Sequence, residues 1–146
     1  MKIEDVAPNF VLKNQNGEEF ELYKNLDIKI LLVFYPEDNT PVCSAQLTEY
    51  NNHQDDFINS GIKVIGISTN SIKSHSNFCN KLKLNFPLLS DENKNVSKQY
   101  NALNIFGINK RLLVLIGNDG KIKWMNSIFP LTFTKTKTIL KKAGQN

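Results

Sequence analysis

Three almost continuously apolar segments constrain the fold of this chain more than any other feature. They occupy residues 28–35, 63–69 and 111–117. Short apolar runs of this kind are typical of strands that are buried on both faces of a sheet. Helical patterns fill the interval between the first two segments and the longer interval before the third. This alternation predicts a mixed sheet that is covered by helices and joined by right-handed crossovers.

The connecting segments complete the predicted layout. Asn16-Gly17 lies between two short β-forming runs and predicts an N-terminal hairpin, because both residues tolerate the positive φ angles of a tight turn. The turn after the third apolar segment predicts a second hairpin. Apolar spacing predicts four helices, over residues 43–57, 71–84, 91–100 and 132–143. Ser90 is a candidate cap for the third helix. We therefore expect an α/β thioredoxin-like fold, with a mixed central sheet flanked by helices and an N-terminal β-hairpin.

The composition excludes several classes of protein. With 146 residues, 40% of them hydrophobic and 22% charged, the chain can form one packed domain, which we expect to span residues 1–146. Two cysteines are too few for a disulfide-rich secreted scaffold or a four-cysteine zinc site. The net charge of +4 comes from lysines spread along the chain, with Arg111 as the single arginine. This distribution favours a solvated surface over a nucleic-acid interface.

The expected location follows from the N-terminus and from the length of the apolar runs. The first ten residues contain Glu4 and Asp5 and no apolar core, so we expect no secretory signal there. The longest apolar run is far shorter than the roughly 20 residues that a bilayer span needs. We expect a cytoplasmic protein that binds neither membrane nor nucleic acid and carries no metal or organic cofactor. Cysteines in that reducing compartment are more often free, catalytic or redox-sensing than structural.

The candidate site lies where the first apolar segment passes through a proline-bounded loop into a helix. Cys43 falls in the first turn of that helix. The free N–H groups and partial positive charge of a helix N-terminus stabilise a thiolate, which is the nucleophilic form of cysteine. Thr40 can turn its hydroxyl into the same pocket, and Pro36 can shield the thiolate from water. The alternative, that Cys43 is a small buried apolar side chain, stays open.

The pattern Pro-x-x-x-Thr-x-x-Cys after a strand resembles the active-site motif of the peroxiredoxins. The short chain and the Phe-Tyr-Pro sequence that opens the motif are most similar to the bacterioferritin-comigratory, or Q-type, branch. The resemblance implies a thiol-dependent peroxidase that reduces hydrogen peroxide and organic hydroperoxides. Cys43 would attack the peroxide and become a sulfenic acid. Thr40, Pro36 and Arg111 would hold the peroxide and the thiolate, since Arg111 precedes an apolar strand as the family's arginine does.

The second cysteine, Cys79, admits two interpretations. Many Q-type members carry a resolving cysteine five residues after the first, but that position is Thr48 here. Others carry it on the next helix, where Cys79 falls, so the resemblance implies a Cys43–Cys79 disulfide that thioredoxin or a similar dithiol reduces. Cys79 also lies on an apolar helix stripe, where an inert buried cysteine is ordinary. In that case the protein is a one-cysteine peroxidase that needs an external thiol.

Two other functions are compatible with a thioredoxin-like fold. A thiol–disulfide oxidoreductase is disfavoured because Ser44-Ala45-Gln46 follows Cys43, which leaves no Cys-x-x-Cys pair. A non-enzymatic redox-sensing module of the same fold remains an alternative. The Q-type resemblance also implies a monomer.

Several other side chains near the predicted site carry weaker expectations. His75 lies one turn before Cys79 and is a candidate for tuning its reactivity. Gln46 departs from the family, where glutamate is common, which leaves substrate preference open. Trp124 and Phe129 are expected to close the core or to rim the pocket.

Overall fold

The computed structural model describes residues 1–128 and 131–144, and within these residues seven strands form one mixed sheet. The strands are β1 Val11–Lys13, β2 Glu19–Glu21, β3 Lys29–Phe34, β4 Ile62–Ser68, β5 Leu88–Ser90, β6 Arg111–Ile116 and β7 Ile122–Ile128. The helices are α1 Pro41–Asn52, α2 Gln54–Asn59, α3 Ile72–Leu82, α4 Asn95–Gln99 and α5 Thr136–Ala143, and a 3₁₀ turn spans Leu22–Asn25. The strand order is β2-β1-β5-β4-β3-β6-β7. The predicted α/β class, mixed sheet and N-terminal hairpin are confirmed.

Strand β3 lies in the interior of the sheet, between β4 and β6, and is buried on both faces. It pairs in parallel with β4 and antiparallel with β6. Ile30, Leu32 and Phe34 belong to the apolar cluster on one face, which also holds the N-terminal hairpin and α4. Leu31 and Val33 belong to the cluster on the other face, where α1, α2, α3 and α5 pack. The apolar runs therefore predicted doubly covered strands correctly, because both side-chain sets of β3 need an apolar layer.

The face that carries Leu31 and Val33 also holds both cysteines. Cys43 on α1 and Cys79 on α3 belong to one buried cluster, and the half-buried Trp124 packs against it. The expectation that Trp124 closes the core is confirmed, whereas Phe129 lies outside the described residues. In the part of the chain described here, no helix has both the length and the apolar character needed to cross a bilayer.

Three helix predictions need correction. The predicted helix over residues 43–57 is interrupted at His53, whose φ of −111° and ψ of 23° end α1 before α2 begins. Ser90 does not cap the third helix, because it lies in β5 and its hydroxyl donates to the carbonyl of Asn70. The Asp91 carboxylate instead accepts hydrogen bonds from the first turns of the shorter helix α4.

The last helix also starts later than predicted. It begins at Thr136 rather than at residue 132. The Glu49 carboxylate of α1 accepts hydrogen bonds from both the backbone N–H and the hydroxyl of Thr136. The helix start is thus set by a side chain from a distant segment, which local capping signals do not report.

Candidate active site

Cys43 lies in the first turn of α1, close to the C-terminal edge of β3. Pro41 is the first residue of the helix. The N–H at this position makes no hydrogen bond within a helix, so a proline is tolerated there. Asn39, in the loop before the helix, has a left-handed backbone conformation with φ of 66°. Cys43 is then fully buried, with its side chain among the apolar residues under α1. The loop and helix therefore hold the thiol at a helix N-terminus and away from bulk water.

Arg111 brings a cation to this thiol. It is the first residue of β6 and only 3% exposed, and its Nη1 donates to Cys43 Sγ at 3.2 Å and to Gln46 Oε1 at 3.0 Å. The pairing of β6 with β3 places the start of β6 beside the end of β3, which explains how residues so far apart in sequence meet. A guanidinium keeps its charge at every accessible pH, so it favours a thiolate over a thiol.

Gln46 and Tyr50 hold the arginine in position. Gln46 Oε1 accepts from Arg111, and Gln46 Nε2 donates to the Tyr50 hydroxyl at 3.2 Å. That hydroxyl donates in turn to the carbonyl of Thr134 at 2.6 Å. Burial raises the pKa of Tyr50 well above its ordinary value, so the phenol stays a neutral donor. Sequence reasoning noted Gln46 only as a departure and missed Tyr50, although both follow Cys43 on one face of the same helix.

Thr40 and Pro36 lie in the loop that leads to Cys43. Thr40 is the N-cap residue of α1, and its half-buried hydroxyl donates to the carbonyl of Glu37 at 3.3 Å. Pro36 is half-buried and is separated from the end of β3 by one residue, Tyr35. The structure thus brings Arg111 onto Cys43, while the Thr40 hydroxyl is engaged with the backbone of its own loop.

Cys79 lies in the second half of α3 as a free thiol. It is 6% exposed and belongs to the same apolar cluster as Cys43. Burial, together with the negative charge of Asp38, raises the pKa of Cys79 to about 12. In this conformation the thiol is therefore protonated and is a weak nucleophile.

A buried polar cluster joins the loop to α3, and sequence reasoning missed it. The Asp38 cluster consists of Tyr35, Asp38, Ser74 and His75. Asp38 Oδ1 accepts the Tyr35 hydroxyl at 2.6 Å, and Oδ2 accepts the Ser74 hydroxyl at 2.7 Å. His75 Nδ1 lies 2.8 Å from the same Oδ2, and His75 is fully buried. The available signal was a histidine on an apolar helix stripe, since such a histidine needs a polar partner.

Comparison with known proteins places the chain in a family. The sequence model of the AhpC/TSA family matches residues 3–125. Peroxiredoxin Bcp of Escherichia coli strain K12 is 36% identical over 131 residues, which cover 84% of this chain and 83% of that protein. Chloroplastic peroxiredoxin Q of Oryza sativa subsp. japonica is 35% identical over 121 residues, which cover 82% of this chain and 56% of that protein.

Solved structures agree with the sequence comparison. A cysteine-to-serine mutant of PrxQ from Xylella fastidiosa has a TM-score of 0.88 at 26% identity, over 99% of this chain and 96% of that chain. The peroxidoxin BcpB of Mycobacterium tuberculosis has a TM-score of 0.88 at 24% identity, over 99% of this chain and 97% of that chain, and shares the fold. The chain belongs to the AhpC/TSA family and is a thiol peroxidase of the Bcp and peroxiredoxin Q type.

Proposed function

We propose that Cys43 is the thiol that reduces the peroxide and that Cys79 resolves the product as an intramolecular disulfide. Thioredoxin or a similar dithiol then reduces that disulfide. The observation that carries this proposal is the buried Arg111 guanidinium, which donates to Cys43 Sγ at 3.2 Å at a helix N-terminus. A fixed cation beside a buried sulfur stabilises the thiolate and therefore favours a reaction in which that thiolate is the nucleophile.

The first step oxidises Cys43. Its thiolate attacks one oxygen of a hydroperoxide, an S–O bond forms, and the O–O bond breaks. The leaving oxygen takes a proton and departs as water or an alcohol, so Cys43 becomes a sulfenic acid. Negative charge moves from sulfur to the leaving oxygen during this step, and Arg111 with the N–H groups of α1 stabilises it at both positions.

Thr40 and Pro36 have supporting roles in the proposed site. The hydrogen bond from Thr40 to the Glu37 carbonyl is long, at 3.3 Å, so a peroxide oxygen can compete for that hydroxyl. Pro36 adds no N–H donor and restricts the backbone of the loop that leads to Cys43. The proposed pocket thus offers the peroxide one mobile hydroxyl and one fixed cation.

The second step joins the two cysteines. The Cys79 sulfur attacks the sulfur of the Cys43 sulfenic acid, an S–S bond forms, and the hydroxyl leaves as water with the thiol proton. A disulfide needs Cα atoms within about 7 Å of each other. Cys43 and Cys79 lie on different helices, and we propose that part of α1 or α3 unwinds to bring them within that distance. We further propose that the enzyme works as a monomer in the cytoplasm, where dithiol reductants are available.

A one-cysteine peroxidase is the second candidate. The observation that favours it is the burial of Cys79, which with Asp38 holds the pKa of that thiol near 12 and its thiolate fraction low. In that case an external thiol reduces the sulfenic acid at Cys43, and Cys79 is a core side chain.

Rapid-quench mass spectrometry separates these candidates. The reduced protein is mixed with a few equivalents of hydrogen peroxide, the free thiols are alkylated, and the intact mass is followed in time. The two-cysteine enzyme loses two hydrogens, and the bond maps to Cys43 and Cys79. A persistent gain of one oxygen at Cys43 supports the one-cysteine enzyme. Slow oxidation of Cys43, no faster than that of an ordinary thiol, contradicts both.

Matched variants complete the experiment. The Cys79→Ser variant should oxidise at Cys43 at close to the parental rate, retain the added oxygen, and lose turnover coupled to thioredoxin. The Cys43→Ser variant should lose fast oxidation altogether. Parental turnover in the Cys79→Ser variant would contradict a resolving role for Cys79.

A further inference from the structure

We propose that the Asp38 cluster is a lock between helix α3 and the loop that joins β3 to α1. Release of this lock limits the step in which Cys79 reaches Cys43. The inference rests on the proposed resolving role of Cys79. It assigns a positioning role to Asp38, Ser74 and His75, none of which touches the reacting atoms.

The cluster connects the two segments that have to separate. Asp38 lies in the loop between β3 and α1, five residues before Cys43, and its backbone N–H donates to Asn70 Oδ1 at 2.9 Å. Ser74 and His75 lie in the first half of α3, and His75 is four residues before Cys79 on the same helix face. One carboxylate therefore binds the segment that leads to Cys43 to the helix that carries Cys79.

Each polar side-chain atom of the Asp38 cluster has a hydrogen-bond partner. The Leu89 carbonyl can only accept, so His75 Nε2, at 3.0 Å from it, carries a proton and donates. The 2.8 Å contact between His75 Nδ1 and Asp38 Oδ2 then also holds a proton, because two bare lone pairs would repel each other. The side chains of His75 and Asp38 are 0% and 1% exposed. Breaking the cluster without admitting water leaves several buried polar groups unpaired, which makes its release cooperative and slow.

The other end of α3 is held more weakly. Asn51 Nδ2 donates to the carbonyl of Lys83 at 3.0 Å, and Asn51 Oδ1 accepts from the N–H of Asn85 at 2.7 Å. Both hydrogen bonds are solvent-exposed, so water replaces them at little cost in free energy. Of these two attachments of α3, the buried one at Asp38 is therefore the greater obstacle to unwinding.

Release of the cluster also changes the chemistry of Cys79. The Asp38 charge is one of the two causes that raise the pKa of Cys79, the other and larger being burial. Separation of the loop from α3 removes the charge and admits water at the same time. The same movement that brings Cys79 toward Cys43 therefore also makes it a better nucleophile.

Two variants weaken the lock to different degrees. His75→Ala removes both imidazole hydrogen bonds, and Ser74→Ala removes one hydroxyl from Asp38 at a half-buried position that the fold should tolerate. Ile116→Val is the control, because Ile116 is buried in the apolar cluster on the opposite face of the sheet and its truncation lowers global stability only. The readout is rapid-quench mass spectrometry, which times oxygen addition to Cys43 and disulfide formation separately.

We expect oxygen addition within threefold of the parental rate in both lock variants. Disulfide formation should be at least fivefold faster in Ser74→Ala and faster still in His75→Ala, with less sulfinic acid at excess peroxide. The Ile116→Val control should show the parental rate of disulfide formation. Parental or slower disulfide formation in the lock variants, or acceleration of the same size in the control, would overturn the lock.

A second readout tests the lock without peroxide. In a Cys43→Ser background, the alkylation rate of Cys79 reports how often α3 opens. Ser74→Ala should raise that rate about tenfold, while Ile116→Val should leave it within twofold. If the parental protein never forms the Cys43–Cys79 disulfide, the proposed resolving role fails. If Cys79 alkylation is unchanged in Ser74→Ala, the lock itself fails.

Discussion

Replacing Arg111 by methionine removes the guanidinium from Cys43 and keeps a long apolar side chain in its place. The structure gives the magnitude of the expected effect. Arg111 Nη1 makes a charge-assisted hydrogen bond of 3.2 Å to the sulfur in a buried site, and such a bond contributes about 1.5–3 kcal/mol. Removal of one donor from a charged transition state lowers rates by roughly 10²–10³. We expect the second-order rate constant for oxidation of Cys43 to fall about 10²-fold in Arg111→Met.

The assay for Arg111→Met is the rate of oxygen addition to Cys43, measured by rapid-quench mass spectrometry over a range of peroxide concentrations. Arg111→Lys should give an intermediate rate, because an ammonium keeps the charge but sits on a shorter and more flexible side chain than Nη1, the atom that donates to both Cys43 and Gln46. Lys110→Met is the matched control, since it removes the neighbouring cation and the same net charge.

Two outcomes would refute this account of Arg111. One is a folded Arg111→Met protein that oxidises within threefold of the parental rate. The other is an equal loss in Lys110→Met, which would assign the effect to net charge rather than to the contact with Cys43.

Three further predictions follow from the geometry. Tyr50→Phe removes the hydroxyl between Gln46 and the Thr134 carbonyl, so oxidation of Cys43 should slow roughly threefold to tenfold; an unchanged rate would remove Tyr50 from the positioning chain. The pKa of Cys79 is raised from its ordinary value near 9 to about 12, so the folded protein favours the protonated thiol. The free energy of unfolding therefore contains the full contribution of this thiol below pH 9 and loses it as the pH rises toward 12. Between pH 8 and pH 10, a Cys43→Ser protein should therefore lose about 1 kcal/mol more unfolding free energy than the same protein with Cys79→Ala, and parallel pH profiles would contradict this. Gly66→Ala should lower the free energy of unfolding in urea by about 1–3 kcal/mol, because an added Cβ would lie 2.5 Å from Leu88 Cδ2 in the core; a loss under 0.5 kcal/mol would show that Leu88 moves aside freely.

The sequence predicted the elements whose signals are local. The apolar run around β3 predicted a strand buried on both faces, and Asn16-Gly17 predicted the N-terminal hairpin, because each signal is complete within a few residues. The predictions that failed concern helix ends. The start of α5 depends on Glu49 from α1, and the start of α4 depends on Asp91 rather than Ser90. Such contacts are not visible in a local window of sequence.

In the candidate site, too, the sequence indicated the residues with local signals and missed those that depend on tertiary contacts. Cys43 was identifiable because its strand–loop–helix context is contiguous, and Arg111 because a single arginine among many lysines lies at the start of an apolar strand. The Asp38 cluster was not identifiable, since Asp38 and His75 are 37 residues apart and meet only after α3 packs on the sheet. The interpretation of Gln46 as a mere departure from the family was also incomplete, because its amide joins Arg111 to Tyr50.

The single arginine has a practical consequence for labelling experiments. Dicarbonyl reagents that modify guanidinium groups have one target side chain in this sequence, and that target is 3% exposed beside Cys43. Reagent uptake at this guanidinium, located by peptide mapping, therefore reports openings of one small region. The chain thus carries one guanidinium beside Cys43 that serves as a chemical probe, and its labelling rate can be compared between reduced and oxidised protein without introducing a foreign dye.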